Sequence, residues 1–379
     1  MTETDQDLLG VLELTGRGVG FIRRRQAGYK PSKRDIHVGQ KLIQRYRLRT
    51  GDELVGEVGK PPGRGKSPTL RTVASINGQS PESCNGRPDF STLGATHPKE
   101  QLVLDCGLTR LGQPDPTNRI IDLLCPLGKG QRALIVAPSK AGKTMVLQAI
   151  AEGIVKNHPD STLFILLVDE RPEEVTEMEL CGYGEVVASS FDYPAARHAS
   201  LAALTLERAR RRVEMGQDVV LILDSITRLA RAHNTIEKGS GRTLTGGLDA
   251  TSMEEPKRFL GSARNIDPAK GGGSLTIIGT ALIDTGSKMD TVIFEEFKGT
   301  GNSELVLSRE LADRRIFPAI DLNASATRRE ELLLSPDALR LSHALRNRLA
   351  RQSPIDAMND LISLLRRTEG IEDLLKYVS

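Results

Sequence analysis

The sequence predicts an α/β fold in two parts: a small N-terminal β-barrel, then a parallel sheet whose strands alternate with helices. Three observations predict it. Residues 10–77 hold five short apolar-alternating pieces, parted by Gly, Pro and charged turns. From residue 119 on, near-continuous apolar runs of strand length alternate with helical ones. The first of those runs ends in APSKAGKT (137–144), which closes on Gly142-Lys143-Thr144.

A short tail, 1–9, leads into the first part. GVLEL, GVGFIRR, DIHVG, LVGEVGK and LRTVASI then read as five strands of an OB or cold-shock-like barrel over 10–77, with GKPPGRGKSP (59–68) as a basic loop. Residues 78–118 carry little periodic signal and much Ser, Pro, Gly and Asn, and so read as a connector. The second part, 119–379, begins with strand ALIVA and helix TMVLQAIAEGIVKN. LFILLVDE, VVLILDS and SLTIIGTALI are further strands, SLAALTLERARRRVEMG is a helix, and PIDAMNDLISLLRRTEGIEDLLKYV closes the chain as helix.

Composition excludes several classes. In 379 residues, 38% hydrophobic and 27% charged, there is enough apolar material for a globular core and too little net charge for disorder. No apolar run reaches the ~18 residues of a membrane span. The four cysteines (Cys84, Cys106, Cys125, Cys181) form no CxxC pair, and the first ten residues are polar and acidic. Both features predict a cytoplasmic protein with reduced thiols and no membrane partner. Charge is uneven: residues 10–75 hold 15 Lys and Arg against 5 Asp and Glu, whereas the whole chain is only +3. A basic module on an acidic body predicts a polyanion partner, nucleic acid first.

The GKT loop lies between a strand and a helix, the context in which backbone N–H groups at a helix start face phosphate oxygens. Lys143 is placed to reach the β/γ-phosphates of a bound nucleotide and Thr144 to ligate Mg²⁺. Ala137 stands where the usual motif has its first glycine, and it is tolerable there if its φ stays negative. Asp224, at the tip of VVLILD, is placed for the Mg²⁺ shell, and Glu170, at the tip of LFILLVDE, to accept a proton from attacking water.

KAGKTM, VDERPEEVTEM, LDSITRLARAHN, LTGG, PKRF, DTGSKMD, EEFKGTGN, FPAID and TRREELL together resemble the bacterial transcription termination factor Rho family. The resemblance runs from about residue 10 to near the C-terminus. It implies a RecA-like P-loop ATPase core and a ring-shaped homohexamer that acts as an RNA-dependent ATPase and helicase. Such a ring binds single-stranded nascent RNA, moves along it 5′ to 3′ and dislodges the RNA polymerase elongation complex. It implies ATP contacts from Gly128, Lys129, Gly130, Gln131, Arg132 and Ala133, and from Lys140, Ala141, Gly142, Lys143, Thr144 and Met145. Phe317 would stack on adenine beside Met145, Arg171 would lie by the nucleotide, and Arg228 would sense the γ-phosphate. Arg328, with Arg315 as helper, would be the finger entering the neighbouring subunit's site.

The resemblance also places RNA contacts. In the channel they are the 237–247 loop, through Arg242, Thr243, Leu244, Thr245, Gly246 and Gly247, and Lys288 of DTGSKMD. In the barrel they are Gly18, Val19, Gly20, Phe21, Ile22 and Arg23, with Asp35, Ile36 and His37. Here the sequence departs from the family: Val19 and His37 replace aromatic rings, and KSPT (66–69) lacks a Tyr. Pyrimidine preference is therefore expected to weaken, with more reliance on Arg17, Arg23, Arg24 and Arg25. The family's small helical subdomain ahead of the barrel has only about nine residues in its place. Two other readings share part of the pattern: a rotary or export-type hexameric ATPase, and a passive RNA-binding protein with a decayed ATPase.

Overall fold

A computed structural model describes residues 9–16, 18–61, 63, 67–107, 109–110, 113–237, 243–244, 246–368 and 370–378. The chain divides into two compact units. One comprises 1–95, 199–219 and 266–273, and the other 96–198, 220–265 and 274–379.

The first unit is built on a seven-stranded sheet. Its strands are β1 (Gly10–Leu14), β2 (Gly20–Arg23), β3 (Ile36–Val38), β4 (Glu53–Val55), β5 (Val58–Gly59), β6 (Thr69–Leu70) and β7 (Ser75–Ile76), in the order β5-β6-β3-β2-β1-β4-β7. Two of the five expected strands are each broken in two. The break in LVGEVGK falls at Gly56, where a Cβ would stand 2.1 Å from the Thr72 carbonyl oxygen, so only glycine lets these backbones pass. Helix α1 (Gln40–Tyr46), not expected from the sequence, packs Leu42, Ile43 and Tyr46 on the sheet's core of Leu12, Ile22, Ile36, Leu54 and Ile76.

The unit boundaries differ from the expected ones for physical reasons. Cys84 is buried in the barrel core and Arg87 is ion-paired to buried Asp52 at 2.5 Å, so residues 78–95 belong to the barrel. The same unit takes in 199–219, where Arg208 and Arg212 grip Glu53 of β4. Their charges outweigh the burial that opposes ionisation, and Glu53 is held down at about 2. Further along, Leu102 and Leu104 insert into the core of the second unit.

That connector holds the two-residue strands β8 (Ala95–Thr96), β9 (Thr109–Arg110) and β10 (Gln113–Pro114), then helix α2 (Thr117–Leu124). The second unit's main strands are β11 (Arg132–Pro138), β12 (Thr162–Glu170), β13 (Glu185–Ser190) and β14 (Asp218–Asp224). After the hairpin β15 (Thr243–Leu244) and β16 (Leu248–Asp249) come β17 (Arg264–Ile266), β18 (Ser274–Ile283), β19 (Ser303–Val306) and β20 (Ala326–Thr327). The sheet runs β13-β12-β14-β18-β11-β19-β20, with β17 and β8 off this path. The pairs β12–β13, β11–β18 and β11–β19 are parallel, whereas β20 returns antiparallel on β19 and β17 lies antiparallel on β18.

Helices α3 (Lys143–Asn157), α4 (Pro172–Cys181), α5 (Ala195–Val213), α6 (Ile226–Ile236) and α7 (Glu254–Gly261) follow the strands. After them come α8 (Lys288–Phe297), α9 (Arg309–Asp313), α10 (Pro336–Leu349), α11 (Pro354–Arg366) and α12 (Ile371–Val378). The core packs Val146, Leu147, Ile150 and Ile154 of α3 against Ile135, Ile165 and Ile222 of the strands. The strands carry apolar residues on both faces because helices cover both. Among the described residues, no helix is long and apolar enough to cross a membrane.

Candidate nucleotide and RNA sites

Parallel strands present their C-terminal ends to ligands, and the predicted motifs gather there. Ala137 is fully buried on β11 and paired with Leu282, with no left-handed φ. The tight backbone comes later instead, at Lys140 (φ 65°) and Gly142 (φ 83°). The missing glycine therefore has no turn to make. Gly142 is needed twice over: its φ favours glycine, and a Cβ there would come within 3.2 Å of the Phe317 ring, with Met145 Sδ at 3.8 Å. This brings Phe317, Gly142 and Met145 together, as an adenine wall requires.

Lys143 opens α3 and its Nζ is held 2.9 Å from Glu170 Oε1 and 2.6 Å from Asp224 Oδ1. Burial disfavours the lysine's charge, but Asp224 and Glu170 outweigh it and raise its pKa. Glu170 is pushed up from the ordinary carboxylate range, first by burial and then by Asp224. Thr280, on the adjoining strand, donates to Asp224 Oδ1 at 2.7 Å. Arg228 lies 3.4 Å from Glu170 and 3.2 Å from Asp169 and donates to the Asp169 carbonyl. Thr144 follows Lys143 in the first turn, and Arg171 caps α4 at the surface. Sequence reasoning missed Thr280 and Asp169. Thr280 sits inside an apolar strand where only the sheet order reveals its neighbour.

No group of three or more His, Cys, Asp or Glu among the described residues is placed to hold a metal alone. One carboxylate and one hydroxyl nonetheless fit Mg²⁺, which takes few protein ligands and completes its shell with water and phosphate.

The 128–133 stretch does not join this cluster. It runs into the start of β11, and six extended residue steps, roughly 20 Å, separate Arg132 from Pro138. Ala133 is buried in the strand, and Gly130 N–H donates to Thr276. Gln131 and Arg132 instead line a cavity of about 240 Å³ with Arg328, Asn302 and His97. Backbone hydrogen bonds set this, from Asn302 N–H to the Arg132 carbonyl and from Arg328 N–H to the Asn302 carbonyl. Arg315 is not among the cavity's residues. It lies two positions before Phe317, whose ring meets Gly142.

The two segments expected to contact RNA meet. A Cβ on Gly246 would stand 3.0 Å from Met289 N and 3.1 Å from the Lys288 carbonyl oxygen. Thr243–Leu244 pair with Leu248–Asp249 in the β15–β16 hairpin that bears Gly246 and Gly247. Lys288 is exposed at the start of α8. Arg231 of α6 fixes this segment by gripping buried Asp290, Nε to Oδ1 at 2.7 Å. Arg242 and Thr245 lie outside the described residues, as does Arg17.

In the barrel, strand alternation divides the expected contacts. Ile22 and Ile36 face the core, and Asp35 is buried. Arg23 is neutralised by Glu13 at 2.5 Å and Asp35 at 2.6 Å, so it and Asp35 form a structural pair rather than free RNA contacts. Phe21 pairs with His37 across β2–β3, their rings edge to face at 5.7 Å. Gly18, at φ 72°, turns the chain into this strand, and Val19 accepts from Thr15 N–H and hydroxyl. Gly20 passes under Leu12, where a Cβ would clash at 2.6 Å.

Residues 117–327 match the nucleotide-binding domain of the ATP synthase alpha/beta family, and residues 8–82 the Rho termination factor RNA-binding domain. Among solved structures, a prototypical ATPase of the type III secretion system of pathogenic bacteria is similar at TM-score 0.61 and 24% identity, over 76% of this chain and 88% of that one. That likeness shows the shared ATPase fold. Transcription termination factor Rho of Gemmatimonas aurantiaca is 55% identical over 95% of this chain, which spans 48% of that protein's length. The Buchnera aphidicola (from Acyrthosiphon pisum) protein of the same name is 51% identical over 95% of this chain and 85% of its own length, and the Escherichia coli one 50% over 97% and 87%. The chain belongs to the family of transcription termination factor Rho, RNA-dependent ATPases that end transcription.

Proposed function

We propose that the chain is one subunit of a homohexameric ring that hydrolyses ATP to pull single-stranded RNA through its centre, and so terminates transcription by RNA polymerase in the cytoplasm. The observation that carries this is Lys143 held between Glu170 and Asp224 beside Arg228: one cation, two carboxylates and a second cation at the end of a phosphate loop.

In the loaded site Lys143 leaves its carboxylates for the β/γ-phosphates, and Arg228 turns to the γ-phosphate. Thr144 and Asp224 would hold Mg²⁺, which neutralises charge on the phosphate oxygens. Glu170, freed from Lys143, accepts the proton of attacking water, a task its raised pKa suits. Met145 and Phe317 take the adenine, and Arg171 lies by the nucleotide. Arg328, exposed at the far end of β11, supplies charge to the neighbouring subunit's phosphate, which makes the ring necessary for turnover. The place of residues 128–133, with Arg328 rather than with the phosphate loop, favours a contact across the same subunit boundary, with Arg315 on the adenine side.

RNA lies against Gly246, Gly247 and Lys288. Helix α6 carries both Arg228 and Arg231, one turn apart, so a shift at the phosphate is passed to the Lys288 segment through Asp290. The barrel collects RNA by charge and by stacking on Phe21 and His37.

Steady-state ATP hydrolysis with no RNA, with poly(C) and with mixed-sequence RNA tests the reading. RNA-stimulated turnover is expected. Hydrolysis indifferent to every RNA would support the export-type alternative, and no hydrolysis at all would support a passive binder.

A further inference from the structure

Behind the catalytic cluster lies a contact that the mechanism above leaves unused. Strand β12 is bulged at Asp169: Val168 pairs with Ser189 and Glu170 with Ser190, so Asp169 is skipped. Asp169 takes φ 58°, in the left-handed region a non-glycine residue seldom occupies. The bulge re-aims the following side chain, which is Glu170.

Two groups face the Asp169 carboxylate. Arg228 Nη1 is 3.2 Å from Oδ2 and also donates to the Asp169 carbonyl. On the other side His198 Nε2 is 3.8 Å from Oδ1, beyond direct hydrogen-bond reach. His198 is buried in the first turn of α5, and its Nδ1 is 2.8 Å from Ser189 Oγ, itself fully buried. In the tautomer with the proton on Nε2, which the carboxylate facing it favours, the Ser189 hydroxyl donates to Nδ1. Burial holds the imidazole below its ordinary pKa, so the ring is neutral and acts as a donor, not a counter-charge.

Arg228 cannot serve the γ-phosphate and keep Asp169. Once it leaves, Asp169 has lost its cation while the bulge still needs holding. We propose that His198 is a positioning residue for hydrolysis: its Nε2–H takes up the Asp169 carboxylate when Arg228 turns to the nucleotide, and so keeps Glu170 aimed at the attacking water. This rests on the nucleotide role given to Arg228 above. Ser189 orients the ring, and no atom of His198 meets the substrate.

The test is RNA-stimulated ATPase kinetics on the full chain carrying His198→Leu, His198→Asn or Ser189→Ala. His198→Leu is expected to lower kcat about tenfold. KM for ATP is expected to stay within about twofold, the pattern of a contact made only on the way to the transition state. His198→Asn, which retains an N–H donor, is expected to recover part of the loss, and Ser189→Ala to show a smaller one. Combined with Asp169→Asn, His198→Leu should add little, because both act through one contact. Full kcat in His198→Leu, a matching rise in KM, or additive losses in the double variant would each overturn the proposal. If His198→Leu melts early, His198→Asn and Ser189→Ala decide by the same measures. Wild-type protein that RNA does not stimulate would overturn the motor reading itself, which the same assay shows separately.

Discussion

The two ends of strand β11 make opposite use of charge. At its C-terminal end one lysine is shared by two carboxylates, Glu170 and Asp224, and Arg228 leans on Glu170 and on Asp169. Lys143, Glu170, Asp224 and Arg228 are each partnered before any nucleotide arrives. At its N-terminal end Arg132 and Arg328 line one cavity, and among the described residues neither has a carboxylate partner within ion-pair distance. Arg132 is satisfied only by the carbonyls of Thr300 and Ala263. One end is complete alone and waits to exchange partners, whereas the other holds unspent positive charge. On the proposed function, the difference teaches that a single subunit carries both halves of a phosphoryl-transfer site on opposite sides, so that they would meet only between subunits.

The largest expected effect comes from breaking each end in turn. Lys143→Ala should abolish hydrolysis while RNA binding by the barrel persists, read by ATPase assay and filter binding. Arg328→Ala should lower kcat by about 10³ or more with ATP affinity kept. Mixing the two variants sharpens the comparison. Mixed rings regain activity at interfaces that pair an intact phosphate loop with an intact finger, and a mixture no more active than its parts would place Arg328 outside the neighbour's site.

Next is the pH profile of the paired end. Glu170 has a raised pKa, so its basic form is present above that value and is lost as pH falls through it. Turnover should drop on the acid side while pH is still above the ordinary carboxylate range. Glu170→Gln should cut kcat by about 10²–10⁴ and flatten that limb. An unchanged acid limb in the variant would assign it to another group.

How much of this was legible in the sequence differs between the ends for a physical reason. Glu170 and Asp224 sit where strands end and Lys143 where a helix begins just past one, and strand ends are marked by apolar runs, so their convergence follows from the pattern. The place of Arg132 was not legible. GKGQRA and KAGKTM are near in sequence, but an extended strand puts them about 20 Å apart. In the barrel the alternation of β2 and β3 could have shown that Ile22 and Ile36 face inward. The pairing of Arg23 with Glu13 and Asp35 could not be seen without the β1–β2 register. Nor did composition separate 78–95 from a connector, because one cysteine and one arginine tie it to the barrel.

A smaller effect concerns stability rather than turnover. Glu53, held at about 2 by Arg208 and Arg212 against its burial, ionises more readily in the folded chain than in the unfolded one. Its contribution is therefore full above the ordinary carboxylate pKa and is lost as pH falls toward 2. Glu53→Gln leaves two arginines facing a neutral group and should cost about 3–5 kcal/mol at neutral pH. Thermal melting followed from pH 7 to pH 3 checks this, and a variant that melts with wild type throughout would show the pair to be incidental.

Smallest is the barrel's reading of bases. Restoring a ring by Val19→Phe or His37→Tyr should tighten binding to cytidine-rich RNA by about 1 kcal/mol or more per added stack. Fluorescence anisotropy with poly(C) against mixed-sequence RNA measures it, and equal gains on both would mean that the rings add grip without selectivity.

The backbone at Arg328 is tied to β11 through main-chain bonds: Asn302 N–H to the Arg132 carbonyl, and Arg328 N–H to the Asn302 carbonyl. Side chains around it are thereby released from the duty of aiming it. A lineage is free to reshape the cavity wall at His97, Arg329 or Leu333 and the reach of Arg328 stays the same. If a subunit boundary runs here, as proposed, it can drift in sequence without retuning the chemistry that crosses it.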